Sequence, residues 1–225
     1  RTILENAAKS NVTKGSNEQK VGDFYTSGMD SLTIEKLGVI PVKPLLTKID
    51  GIKNDEDLIN FVSEGFKNGQ GDLFGFGVDP DDKMSSKNVL IFTQTGLNLP
   101  ERSYYLDQDD KAKKIRSEYL KYITKVFSLS GDSAQASTYA DHILKLETML
   151  AKSHSTPVEL RDPQKNYNKL AVADFQKQIP NINFNTVLKN LGASTDSIIV
   201  RQPKYYQTLS VLIKSQPIET WKEKL

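Results

Sequence analysis

The sequence predicts a mainly α fold, a multi-helix domain with one small two-stranded β element. Three observations predict it. Residues 111–127 and 136–150 carry apolar side chains at the three- and four-residue spacing of amphipathic helices. Glycine and proline recur where such helices stop and restart. Only residues 73–78 and 88–95 read as strands, and the turn-forming stretch DPDDKMSSK lies between them as a polar loop.

Taken in order, residues 3–10 read as the tail of a helix expected to begin before residue 1, and residues 10–20 are polar and loose. Residues 21–29 are helical, with Val21, Phe24, Tyr25 and Met29 on one side. Residues 31–37 form a short helix ended by Gly38. Pro44 opens the next, which buries Leu45, Leu46 and Ile49 before Gly51. Asn54 or Asp55 caps a helix whose buried residues are Leu58, Phe61, Val62 and Phe66. After the β element comes a helix over 111–127 with the stripe Ile115, Tyr119, Tyr122, Ile123, Val126 and Phe127. Gly131 ends it. Asp132 and Gln135 then read as a capping box for a helix striped by Ala136, Tyr139, Ala140, Ile143, Leu146 and Leu150. A short turn between two such helices predicts antiparallel packing. Pro157 and Pro163 mark an extended stretch. Helices follow over 172–178, 185–191 and 204–214, with a brief extended run at 198–200. Ile218, Trp221 and Leu225 begin a last apolar stripe after Pro217.

Composition narrows the function classes. Thirty basic residues stand among 28 acidic ones, a net charge of +2, so no electrostatic footprint for nucleic acid is present. Zero cysteines exclude disulfides, thiolate metal sites and thiol catalysis. No apolar run approaches the length that spans a membrane. Residues 1–10, RTILENAAKS, are not a signal peptide, and any export signal is expected upstream of them.

The most informative stretch is residues 94–106, QTGLNLPERSYYL. Turn chemistry accounts for its residue types but not for their order. That order resembles the GLxLPxRxYYL stretch of the neprilysin and endothelin-converting-enzyme family of zinc metallopeptidases. Residues 20–30 (KVGDFYTSGMD) and 34–45 (IEKLGVIPVKPL) resemble bacterial members, and 74–79 (FGFGVD) and 159–168 (ELRDPQKNYN) also fit. The resemblance implies a zinc endopeptidase in which metal-polarised water, deprotonated by the glutamate of an H-E-x-x-H helix, attacks the scissile carbonyl.

This chain carries no H-E-x-x-H. His142 is followed by Ile, Leu, Lys and Leu, and His154 by Ser, Thr, Pro and Val. The family's Asn-Ala-aromatic strand and its opening segment are missing too. Leu225 also falls inside an apolar stripe. Residues 1–225 are therefore expected to be one helical, non-catalytic, cleft-covering domain, an interior piece of a larger peptidase. Catalytic, cofactor-binding and metal-binding residues are each expected to be none within it. Zinc is expected in the full-length parent.

Other candidates have plainer readings. His142 is a structural or surface histidine, and His154 is solvated. Asp79, Asp81 and Asp82 form a solvated turn with Pro80 at its corner, since Met84 and Leu90 occupy the positions where a calcium loop needs Gly and Glu. The glycines of residues 69–77 permit turns rather than bind a dinucleotide. Arg102 and Arg161 are expected to clamp loops, since guanidinium forks can tie them to buried carboxylates, with substrate contact as the alternative. Tyr104, Tyr105, Tyr205 and Tyr206 are core anchors.

The resulting expectation is a helical substrate-gating domain of an extracytoplasmic zinc endopeptidase acting on short peptides. Its partner is the catalytic domain of the same polypeptide. A non-enzymatic exported binding module and a degenerate homologue without metal are the alternatives. A domain cut from a larger one should also expose an apolar face where its missing helices packed.

Overall fold

The computed structural model describes residues 1–69 and 71–225. It divides into two compact units, Arg1–Leu45 and Leu46–Leu225.

The first unit holds α1 (Thr2–Lys9), α2 (Asn17–Met29), α3 (Ser31–Leu37) and a 3-10 turn over Ile40–Val42. The α2 helix starts earlier than its apolar spacing predicts. Ser16 caps it, with its hydroxyl accepting from Gln19 N at 3.1 Å, so polar residues fill the first turn. Gly22 lets α1 and α2 approach closely, because a Cβ there would lie 2.5 Å from the Ala7 carbonyl oxygen. Gly38 ends α3 at a φ of 50°.

The α4 helix (Lys43–Asp50) runs across the boundary, and Leu46 on it is exposed where burial was expected. The second unit continues with α5 (Asp55–Gly65), β1 (Gly75–Asp81), β2 (Met84–Thr93), α6 (Ser103–Leu106), α7 (Asp110–Ser130) and α8 (Ala136–Ala151). Then come α9 (Pro157–Leu160), β3 (Lys169–Ala171), α10 (Val172–Gln178), α11 (Phe184–Leu191), β4 (Ser197–Val200), α12 (Pro203–Ser215) and α13 (Ile218–Lys224).

Mainly α is correct, but the β element has four strands rather than two, in the order β1-β2-β4-β3. The β1/β2 and β3/β4 pairs are antiparallel, and β2 runs parallel to β4 through Ile91–Ile199 and Phe92–Val200. The expected polar loop at 79–87 is mostly strand. The hairpin closes tightly, with Asp81 paired to Met84. Thr156 and Glu159 form a full capping box on α9, so the stretch between Pro157 and Pro163 opens as helix rather than extended chain. Asp132 does not cap α8. Gln135 holds that position without a side-chain bond.

The main core lies between the sheet and helices α5, α8 and α10–α13, with Leu58, Leu146, Phe92, Val200, Leu209 and Trp221 among its members. A satellite core of Tyr119, Ile123, Ala140 and Ile143 joins α7 to α8. Phe127 meets Tyr139 near the turn and Tyr119 reaches Glu147 further along, so the two helices run antiparallel as predicted.

Candidate functional site

Residues 94–106 leave the end of β2 and are held by two polar networks. The first is a relay of amides. Ser155 N donates to Gln94 Oε1 at 2.7 Å, and Gln94 Nε2 donates back to the Ser155 carbonyl at 3.2 Å. The Gln94 backbone N–H donates to Gln202 Oε1 at 2.9 Å, and Gln202 Nε2 donates to Asn166 Oδ1 at 2.7 Å. Asn166 Nδ2 donates to the carbonyls of Glu159 and Asp162 at 2.8 and 2.7 Å. Two stretches singled out in the sequence, 94–106 and 159–168, are thus one connected structure. Gly96 has a φ of +86°, which favours glycine, and a Cβ there would press on the Tyr205 hydroxyl at 3.1 Å.

The second network centres on Glu147 of α8, whose side chain is fully buried and ion-paired with the buried Lys224 of α13 at 2.7 Å. Its Oε2 accepts from the hydroxyls of Tyr105 at 2.7 Å and Tyr119 at 2.9 Å. The Tyr105 oxygen in turn accepts from Leu99 N at 2.8 Å, and the Tyr119 oxygen from Asn98 Nδ2 at 3.0 Å. Burial, and then the charge of Glu147, push both phenols well above their usual value of 10.0, so both remain donors. One carboxylate therefore ties the loop after β2 to α6, α7, α8 and α13. Sequence reasoning missed Glu147 and Lys224, although a signal existed. Glu147 follows Ile143 by four residues and precedes Leu150 by three, a charged side chain inside an apolar stripe.

The residues weighed from sequence fall as follows. His142 is partly exposed and its Nδ1 lies 2.9 Å from Glu223 Oε2. His154 is not solvated. It is buried, its Nε2–H donates to the Thr95 carbonyl at 3.0 Å, and its ring meets Tyr205 edge-on. Burial, with Arg102 nearby, lowers its pKa to about 4. Asp81 is not a solvated turn residue either. It is buried, pairs with Lys169 at 2.7 Å and accepts from the Tyr167 hydroxyl at 2.9 Å and Lys83 N at 2.9 Å. The bond from Lys169 is the main cause that lowers its pKa to about 2. Pro80 stands within β1 rather than at a corner, and Asp82 pairs with Arg201 at 3.4 Å.

Within the glycine run, Gly69 ends a 3-10 turn and Gly75 lies in β1 against Thr93, while Gln70 is outside the described residues. Arg102 Nε donates to the Ala151 carbonyl at the end of α8 at 3.4 Å, so its partner is a backbone carbonyl rather than a carboxylate. Arg161 is exposed, and among the described residues its guanidinium has no hydrogen bond or ion pair. Tyr105, Tyr205 and Tyr206 are core anchors, with the last two donating to the carbonyls of Leu73 and Thr93 at 2.8 and 2.7 Å. Tyr104 is half-buried, and its carbonyl accepts from Arg116.

Among the described residues no three His, Asp or Glu side chains converge as metal ligands. The imidazoles are committed to Glu223 and Thr95.

The N-terminal model of peptidase family M13 matches residues 1–225. An endothelin-converting enzyme homolog of Locusta migratoria is 32% identical over 221 residues, covering 90% of this chain and 30% of that protein. Neprilysin-3 of Drosophila melanogaster is 28% identical over 241 residues, covering 99% of this chain and 30% of that protein. The zinc metalloprotease Zmp1 of Mycobacterium tuberculosis, solved with an inhibitor, superposes with a TM-score of 0.85 at 30% identity. That superposition covers 100% of this chain and 35% of Zmp1. The chain thus spans about a third or less of each relative's length. The family model spans the whole chain, with the networks around Gln94 and Glu147 inside it, and the chain belongs to peptidase family M13.

Proposed function

We propose that residues 1–225 are the helical, cleft-covering part of a zinc-dependent endopeptidase that acts on short peptides outside the cytoplasm. The observation that carries this reading is the likeness to Zmp1, which extends over the whole chain yet covers only 35% of that metalloprotease. The buried side chains support it. Glu147, His154 and Asp81, the groups best suited to acid–base work, are each consumed by internal bonds. The unit Leu46–Leu225 supplies a packed surface of fixed shape, and selection by size is the task such a surface can perform. The partner is the rest of the same polypeptide, where zinc would supply a Lewis acid.

The test is a length series on the full-length gene product, with one cleavage sequence placed in peptides of increasing size and in a folded protein. The expected result is a kcat/KM that falls steeply with size. Turnover independent of length would overturn the gating role.

A further inference from the structure

The first unit lacks a core. Within Arg1–Leu45 only Ala7 and Gly22 are buried, and none of the core clusters has a member there. Among the described residues, half of the exposed large hydrophobic side chains lie in this fifth of the sequence. Phe24 is 83% exposed and Leu32 84%. Helices of 8, 13 and 7 residues are marginal in water and need burial of an apolar face to persist. The close crossing at Gly22 supplies little apolar area.

The exposed side chains also make a shape. Leu4, Val21, Phe24, Tyr25 and Met29 line a groove of about 580 Å³. Gly28 also lines it and faces open space, since a Cβ there would meet nothing within 4 Å. Val21, Phe24 and Gly28 follow one another at helical spacing, so bulk gives way to a gap along one face of α2. Such a face can take a crossing apolar helix, whose side chains pack where Gly28 leaves room.

We propose that this groove is a docking surface for an apolar helix supplied by the part of the M13 polypeptide outside residues 1–225. This inference rests on the proposed function. The length of the relatives supports that occupant over a second copy, because this chain accounts for 30% of the locust enzyme homolog and 35% of Zmp1. Most of such a polypeptide is then available to cover the face in cis, at a high effective concentration.

The absence of cysteine provides the test. A single thiol is introduced as Phe24→Cys, and separately as Met29→Cys in case the first variant folds poorly. Maleimide labelling is followed in the full-length product and in residues 1–225 alone, with the denatured proteins setting the unprotected rate. The expected result is labelling slowed by about tenfold or more in the full-length product only. Labelling at the unprotected rate in a full-length product that still cleaves peptides would overturn the docking surface. Protection in residues 1–225 alone that grows with concentration would overturn it in favour of self-association. A full-length product without chelator-sensitive cleavage would sink the proposed function, while the labelling would still decide the docking surface.

Discussion

Glu147→Ala is expected to destabilise the protein by about 3–5 kcal/mol, the cost of leaving a buried charge without its partner. The Lys224 ammonium, in a side chain that is 5% exposed, would lose the carboxylate that stands 2.7 Å from it. Two phenol hydroxyls would lose their acceptor as well. Glu147→Gln should cost less, because its carbonyl still accepts from Tyr105 and Tyr119 while only the ion pair is lost. Denaturant melts of the three proteins test the order. If Glu147→Ala were no more costly than an exposed substitution such as Glu118→Ala, the network would not be what holds residues 94–106.

His154 gives the second large effect, and its sign follows from its pKa. The folded value of about 4 lies below the ordinary 6.5, because burial disfavours the cation. The stabilisation is fully present above pH 6.5. It is lost as pH falls toward 4, since the unfolded chain takes up a proton that the folded one refuses. The interval corresponds to roughly 3 kcal/mol. Two carboxyls act in the opposite sense. Burial raises the pKa of Asp72 and Glu223, so folding favours their protonation. The difference between wild type and His154→Gln therefore isolates the histidine, because a glutamine amide can still donate to the Thr95 carbonyl. Stability measured at pH 7, 5.5 and 4 should fall more steeply for the wild type. Parallel curves would mean that His154 is accessible to protons in the folded state.

Long helices were legible in the sequence because their apolar spacing is read locally. The stripes of α7 and α8 needed only residues three and four apart, and the structure packs them as predicted. Strands β3 and β4 were not legible as a sheet. They are three and four residues long, and β4 is defined by a parallel partner more than a hundred residues earlier. Three-residue alternation carries no period, and β4 is a continuous apolar run after Ser197, as strands buried on both faces are. Helix starts misled where capping outweighed periodicity, at Ser16 and Thr156.

At the candidate site, the order of residues 94–106 marked the segment as special before any reason was visible. The reasons lie in distant partners. Gly96 lies against Tyr205, Gln94 is bonded to Ser155 and Gln202, and Tyr105 to Glu147. Local pattern could place His154 in the polar exit from α8, but its burial depends on Thr95 and Tyr205, which only the fold brings to it.

The measurement that bears most directly on the central claim is zinc content and chelator-sensitive cleavage of a short peptide, on the full-length gene product with residues 1–225 alongside. The account predicts zinc and cleavage in the long form, and neither in residues 1–225. Bound zinc with cleavage by residues 1–225, or a long form without either, would contradict it.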